Sequence, residues 1–184
     1  MSYPYQPFYC EENAYSLLSE SPLEHLDPYM MFISNATRQV MMFQQSAGAA
    51  PSGAIVWDYH VVVLAAAGME IWDLDSLSGF PLPLSEYLTV SFGAPGLAPK
   101  AWEPRFRLLS QRDAFAMFST NRSHMLDADG EYLKPPPPWD PPANGPPSLQ
   151  RILSPDAGDA KLPQLQPWMD RDSLITWADR KQAA

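Results

Sequence analysis

The amino-acid sequence predicts an α+β domain, on three observations. A helical pattern follows Cys10, with Ala14, Leu17 and Leu18 sharing one face at three- and four-residue spacing. Two apolar segments, Ala54 to Leu64 and Met69 to Asp75, read as strands joined through Ala65-Ala66-Ala67-Gly68. The composition is globular, with 46% hydrophobic and 18% charged residues in a chain of 184. That length buries a sizeable core in one domain, or one domain with a tail.

Taken in order, residues 1–9 are rich in Pro and Tyr and read as extended. The helix from Cys10 is ended by Pro22. Tyr29 to Ile33 is a strand, and Ser34-Asn35 a turn. Gln39 to Gln45 is a further strand and Ala47 to Gly53 a small-residue loop. After the hairpin, Phe80 to Pro99 reads as a loop broken by Pro81, Pro83, Gly93, Pro95 and Gly96. Arg105 to Leu109 is a short strand, Ala114 to Ser119 a helical turn, and Asn121 to Gly130 a loop. Pro135 to Pro138, with Pro141, Pro142, Pro146 and Pro147, excludes regular hydrogen-bonded structure and favours polyproline II. Ser148 to Leu153 and Asp172 to Lys181 read as short helices. No internal repeat is present.

Charge and composition exclude several function classes. A formal charge of −9 leaves nothing to neutralise a run of phosphates, so no nucleic-acid partner is expected. No Gly-x-Gly-x-x-Gly or Gly-Lys-Ser/Thr loop suggests a nucleotide. One cysteine permits no intrachain disulfide and fits an intracellular protein. The N-terminus lacks a signal-peptide pattern, and no apolar stretch is long enough to span a bilayer. The expectation is a soluble protein of the cytosol, or of the nucleus as well, with no membrane partner.

The chemistry concentrates at Cys10, at Trp57-Asp58-Tyr59-His60 and at Trp72-Asp73-Leu74-Asp75. Together these supply a thiol, an imidazole and a carboxylate. A thiol needs a base beside it, and that base needs an acceptor on its other ring nitrogen. At a helix start, free N–H groups and the macrodipole favour a thiolate and can hold an oxyanion. Glu11 and Glu12 suit the dipole yet oppose thiolate formation. A lone cysteine is more often a small buried hydrophobe, and a mid-strand histidine is usually structural. An aspartate facing that histidine favours catalysis instead. If Leu64 pairs with Met69, His60 lies opposite Asp73 with Cβ atoms about 5 Å apart. A one-residue slip would undo that geometry.

The same register sets Asp58 against Asp75, and such a pair needs a cation. The cation is either a positively charged substrate group or Arg105 or Arg107, structural ion pairs being the commoner solution. A metal held by Cys10, His60 and an aspartate lacks a supporting Cys-x-x-Cys or His-x-x-x-His pair, so none is expected. Ser123 and His124 sit in a loop that packs near the site or touches substrate. His25, between Glu24 and Asp27, is expected at the surface.

These motifs resemble one family. Tyr9-Cys10-Glu11-Glu12-Asn13, Phe32-Ile33-Ser34-Asn35, Trp57-Asp58-Tyr59-His60-Val61-Val62, Asp73-Leu74-Asp75, Arg105-Phe106-Arg107, Arg122-Ser123-His124-Met125 and the proline run before Trp139 look like the protein N-terminal glutamine amidohydrolases. The blocks keep the family's order over residues 9–139. The resemblance implies a papain/transglutaminase-like fold, with a nucleophile helix packed on an antiparallel sheet. It implies a Cys10–His60–Asp73 triad that converts N-terminal glutamine of proteins and peptides to glutamate through a thioester, releasing ammonia and needing no cofactor. The product glutamate can be arginylated and read as a degradation signal where the host has that pathway. Specificity then requires a contact to the substrate amine, for which Asp58, Asp75, Glu11 and Glu12 are candidates. The chain is expected to be a monomer and a single catalytic domain over 1–184, with a proline-rich strap at about 135–147 and a divergent segment at 148–184. Gly93 to Trp102, the chain from Pro141 onward and Leu162 to Trp168 depart from the family's pattern. The same triad would serve a protease or transglutaminase. In a different class, Pro135 to Trp139 could act as a polyproline II ligand in an interaction module.

Overall fold

The computed structural model describes residues 3–20, 22–48, 53–155 and 165–183. Residues 49–52 of the small-residue loop and 162–164 of the divergent stretch lie outside the described residues. Helix α1 (Cys10–Leu17) is followed by β1 (Pro28–Ser34), β2 (Val40–Met42), β3 (Ile55–Trp57), β4 (His60–Ala65) and β5 (Glu70–Trp72). Then come β6 (Leu82–Pro83), α2 (Leu84–Phe92), β7 (Arg105–Ser110), α3 (Gln111–Met117), α4 (Leu149–Ile152) and α5 (Arg171–Gln182). Five strands form an antiparallel sheet in the order β6-β5-β4-β1-β7, and β2 pairs with β3 apart from it. The architecture is α+β.

Every residue of β1 and β4 is buried, because helices cover both faces of the sheet. The alternation of side chains along a strand divides them. Met30, Phe32, Val61, Val63 and Leu109 point toward α1, α3 and α4. Met31, Ile33, Val62, Leu64 and Leu108 point toward α2 and α5. Both central strands accordingly read as unbroken apolar runs rather than alternating ones.

Three expectations are corrected. Helix α1 stops at Leu17, well before Pro22, and tight turns carry the chain onward. The long strand expected from Ala54 to Leu64 breaks at Asp58-Tyr59: β3 leaves to pair with β2, and only β4 joins the main sheet. Phe80 to Pro99 is not a loop, since it contains α2. Pro83 stands at the N-cap of that helix and Gly93, at φ 67°, at its C-cap. Leu84, Tyr87, Leu88, Ser91 and Phe92 form its buried face at helical spacing. The prolines and glycine mark the ends of a helix, not its absence.

The hairpin register also differs. Leu64 pairs with Ile71 and Ala65 with Glu70, so the turn covers Ala66 to Met69. Ala65 remains in the sheet because it also pairs with Pro28 of β1. The turn closes with Met69 in the left-handed region at φ 53°. The pairing is displaced by two residues from the expectation, an even number, so His60 and the segment after Trp72 keep the same face.

The segment around the proline run lies on the body of the domain. Gln6 Nε2 donates to the Pro135 carbonyl at 2.9 Å, and the Tyr9 hydroxyl to that of Lys134 at 3.0 Å. Thr120 N–H and Ser119 Oγ both reach the Pro142 carbonyl. At the C-terminal end, α5 buries Leu174 and Ala178 in the core and sets Trp177 edge-on to Tyr29. Among the described residues, no helix is long and apolar enough to cross a membrane.

Candidate active site

Cys10 is the first residue of α1, preceded by Tyr9 at the N-cap, and no side chain caps the helix there. The chain entering it is fixed by Asn13, whose amide exchanges two 2.9 Å hydrogen bonds with the backbone of Gln6. The thiol sits against the start of β4. The β4–β5 ladder ends at Val63–Trp72, and the Val61 backbone beside the thiol acts against the groups that raise the Cys10 pKa.

Beyond Trp72 the chain turns, with Ser76 N–H bonded to the Asp73 carbonyl. The Asp73 side chain caps its own turn by accepting the Asp75 N–H at 3.0 Å. The same oxygen accepts His60 Nε2 at 3.0 Å, a contact in which both side chains are 2% exposed. The other oxygen accepts Gln45 Nε2 at 3.1 Å and the Tyr87 hydroxyl at 2.9 Å. Four donors thus hold a buried carboxylate ionised. Burial pushes the Asp73 pKa up, but the His60 imidazole and these hydrogen bonds more than offset it, and the pKa lies below the ordinary carboxylate value. Burial likewise pulls His60 down, but the charge and hydrogen bond of Asp73, with the charges of Asp75 and Glu11, together outweigh it and leave the imidazole pKa above its usual value. With Nε2 committed to Asp73, Nδ1 is left as the basic nitrogen. The Trp57 indole stacks on the ring at 12° and 5.9 Å between centroids.

A cleft of about 210 Å³ opens on this arrangement, lined by Cys10, His60, Asp58, Asp75, Tyr59 and His124. Phe8, Trp57 and Lys134 complete part of its wall. Asp75 is almost wholly buried, and its Oδ1 accepts the Tyr5 hydroxyl at 2.6 Å and the Ser46 hydroxyl at 2.9 Å. Burial, then the Asp75 hydrogen bond, pushes the Tyr5 phenol up to about 12. No donor reaches Asp75 Oδ2 among the described residues. Asp58 is exposed at the rim, its Oδ1 turned to the N–H of Tyr59.

Neither arginine considered from the sequence neutralises these aspartates. Arg107 is buried beneath Trp168, 4.5 Å from the ring centroid, and donates to the carbonyls of Ile152 and Ser154. Arg105 pairs with Asp170 at 3.7 Å on the surface. The negative charge of Asp58 and Asp75 is left facing the cleft.

Glu11 and Glu12 are both fully buried but have different neighbours. Glu12 is gripped by Arg122 through two hydrogen bonds of 2.7 and 2.8 Å, and also receives the Trp139 indole N–H at 3.1 Å. Arg122 in turn donates to the Trp139 carbonyl at 2.6 Å. This clamp joins α1, the 122–125 turn and the end of the proline run. It leaves Glu12 no free oxygen for a ligand. Glu11 Oε2 accepts the Tyr59 hydroxyl at 3.1 Å and stands 3.7 Å from the Cys10 sulfur. His124 Nε2 bonds to the same hydroxyl at 2.9 Å. Ser123 is exposed and is not among the residues that line the cleft; its N–H donates to the Asn121 side chain. His25 is exposed. Burial first, then the Glu11 carboxylate, pushes the Cys10 thiol well above its ordinary range, so the resting sulfur is a thiol.

Sequence reasoning missed Tyr87 and Gln45 as parts of the site and assigned no role to Trp57 and Tyr59 within their motif. For Tyr87 a signal was present, the Leu84/Tyr87/Leu88 spacing of α2.

His60, Asp73 and Asp75 also bring ligand atoms within 4.8 Å of one another, a spacing a cation could bridge. Both Asp73 oxygens, His60 Nε2 and Asp75 Oδ1 are already engaged within the protein, which leaves Asp75 Oδ2 and His60 Nδ1 without a hydrogen bond among the described residues.

The fold and cleft define an α+β protein in which a thiol at a helix start and an imidazole bonded to a buried carboxylate line one cleft. The chain belongs to the N-terminal glutamine amidase family, whose model matches residues 5–160. It is 33% identical over 150 residues to the protein N-terminal glutamine amidohydrolase of Arabidopsis thaliana, covering 76% of this chain and 68% of that protein. The protein of the same description from Caenorhabditis elegans is 32% identical over 143 residues, covering 73% of this chain and 75% of its own. That of Homo sapiens is 30% identical over 182 residues, with 94% and 80% covered.

Proposed function

We propose that this chain is a hydrolase that deamidates N-terminal glutamine of proteins and peptides, with Cys10 as nucleophile, His60 as base and Asp73 as its orienting carboxylate. The observation that carries the reading is the buried 3.0 Å His60–Asp73 contact at the cleft that Cys10 also lines. The α+β core, with α1 laid on an antiparallel sheet, supports kinship with the papain/transglutaminase fold and a single catalytic domain over 1–184. Hydrogen bonds to the carbonyls of Lys134, Pro135 and Pro142 support the segment at about 135–147 as a strap, and its ties to the domain disfavour a free polyproline ligand.

His60 Nδ1 takes the Cys10 proton as sulfur attacks the side-chain carboxamide carbon. Because burial disfavours a free thiolate, proton transfer accompanies the attack. The oxyanion is held by backbone N–H groups at the uncapped start of α1. The imidazolium then protonates the nitrogen, the C–N bond breaks and ammonia leaves a thioester. His60 next deprotonates water, which attacks the thioester carbonyl. Collapse releases glutamate, and the sulfur recovers its proton from the imidazolium. The α-ammonium is received by Asp75 Oδ2 and Asp58, a site whose polar groups go unpaired when that cation is missing.

The test uses three peptides of one sequence, with free N-terminal glutamine, acetylated glutamine, or glutamine moved one place inward. Ammonia release from the first alone, with a product glutamate at position one, is expected. Release from none would sink the assignment. Asp75→Asn should raise KM on the order of 10- to 100-fold while kcat changes little. A collapse of kcat at unchanged KM would move Asp75 from the amine site into the reacting machinery.

A further inference from the structure

The groups facing the Cys10 sulfur carry a net negative charge. Glu11 of α1, Asp75 of the turn after β5 and Asp58 of the β3–β4 turn all oppose its ionisation. Three basic groups share the cleft: His60 of β4, His124 and Lys134. The His60 charge is matched to Asp73, and the Lys134 ammonium lies over the Phe8 ring at 4.5 Å.

Glu11 is the unexplained member. It has no exposed surface, and its Oε1 has no hydrogen-bond partner among the described residues. His124 Nε2 stands 3.3 Å from that oxygen, off the hydrogen-bonding direction, and makes its bond to Tyr59 instead. An orphaned carboxylate oxygen next to a nucleophile is costly in itself and also disfavours the thiolate. A cation seated at Asp75 and Asp58 in the cleft offsets the second of these costs through its charge.

We propose that Glu11 makes activation of the nucleophile conditional on a positively charged chain terminus: its carboxylate keeps Cys10 protonated in the free enzyme, and the ammonium of a bound terminal residue compensates that charge. The inference rests on the amidase reading and deepens it. Recognition of the amine is then expressed in the chemical step as well as in binding, so an internal or acetylated glutamine that reaches the cleft meets an inert thiol. Glu11 is a specificity-determining residue that acts through Cys10.

The test is alkylation of Cys10 by iodoacetamide, followed by intact mass, with a glycine-initiated peptide as probe. Its free amine occupies the acidic site, while the absent side chain leaves the carboxamide space open to the reagent. A peptide that lowers the thiol by one pKa unit raises the thiolate fraction about tenfold. The expected result is acceleration of about tenfold or more by the free-amine peptide at neutral pH and none by its acetylated form. In Glu11→Gln, the free enzyme should already alkylate fast, and the peptide should add less than about twofold. Equal protection by both peptides, no change, or failure of the free-amine peptide to compete with substrate would each overturn the proposal. If Glu11→Gln does not fold, the wild-type comparison of the two peptides decides alone. Normal ammonia release from terminal glutamine without any alkylation effect would remove this inference and leave the amidase assignment standing.

Discussion

Replacing Cys10 with alanine is expected to lower ammonia release from a peptide with terminal glutamine by about 10⁴- to 10⁶-fold, with the fold intact. The side chain is small and sits at the edge of the cleft, so its loss removes the nucleophile without opening a large cavity. Asp73→Asn should cost on the order of 10⁴ in kcat, because an amide can present the wrong hydrogen-bonding face to Nε2 and cannot stabilise the imidazolium. A second readout separates this from mere loss of structure. Asp73 holds the His60 imidazole above its ordinary value despite burial. Removing that charge lowers the imidazole pKa, so the acid limb of kcat/KM must move to lower pH. An unchanged acid limb would contradict His60 as the base.

The largest stability effect is expected at Arg122. Its guanidinium makes two hydrogen bonds to a Glu12 carboxylate that is wholly buried, and a third to the Trp139 carbonyl. Arg122→Ala leaves that carboxylate with only the Trp139 indole N–H as donor. Breaking one half of a buried pair costs about 3–5 kcal/mol, a large part of the stability of an ordinary domain. For a chain of this size the melting temperature should fall by roughly 6–20 °C. Arg122→Lys keeps the charge but loses the bidentate geometry and should recover part of the loss. A fall of less than about 1 kcal/mol in Arg122→Ala would mean that the pair behaves as a surface ion pair.

Much of the architecture was legible in the sequence. The helix after Cys10, strand β1, the β4–β5 hairpin, β7 and α5 all follow from apolar spacing and turn residues. Helix α2 was not read, because Pro81, Pro83 and Gly93 were weighed as breakers of a long loop when two of them bound a nine-residue helix. Its amphipathic spacing was present throughout. The split of Ala54 to Leu64 was out of reach for a different reason. Nothing local to Asp58-Tyr59 says that β3 will find β2 as its partner, since that choice is made across a sequence gap by the sheet as a whole.

The site shows the same division. The pairing of His60 with Asp73 on the adjoining arm of the hairpin came from residue type and an assumed register. The actual register is displaced by two residues, and Asp73 reaches His60 from the turn beyond β5 rather than from a directly opposed position. Parity tolerated that displacement. The charge balance around Asp58 and Asp75 was not legible, because it depends on Arg105 and Arg107 being drawn off by Asp170 and by the carbonyls near Trp168. Side chains that support the site from other elements, such as Tyr87 and Gln45, become visible only once the strands and α2 are brought together.

The thioester on Cys10 is the central claim, and partitioning with hydroxylamine tests it most directly. A thioester intermediate is intercepted by the added nucleophile, so wild-type enzyme should convert terminal glutamine partly to its γ-hydroxamate, in proportion to hydroxylamine concentration, while ammonia release continues. Glutamate as the sole product, at full turnover and at every hydroxylamine concentration, would contradict a covalent intermediate on Cys10.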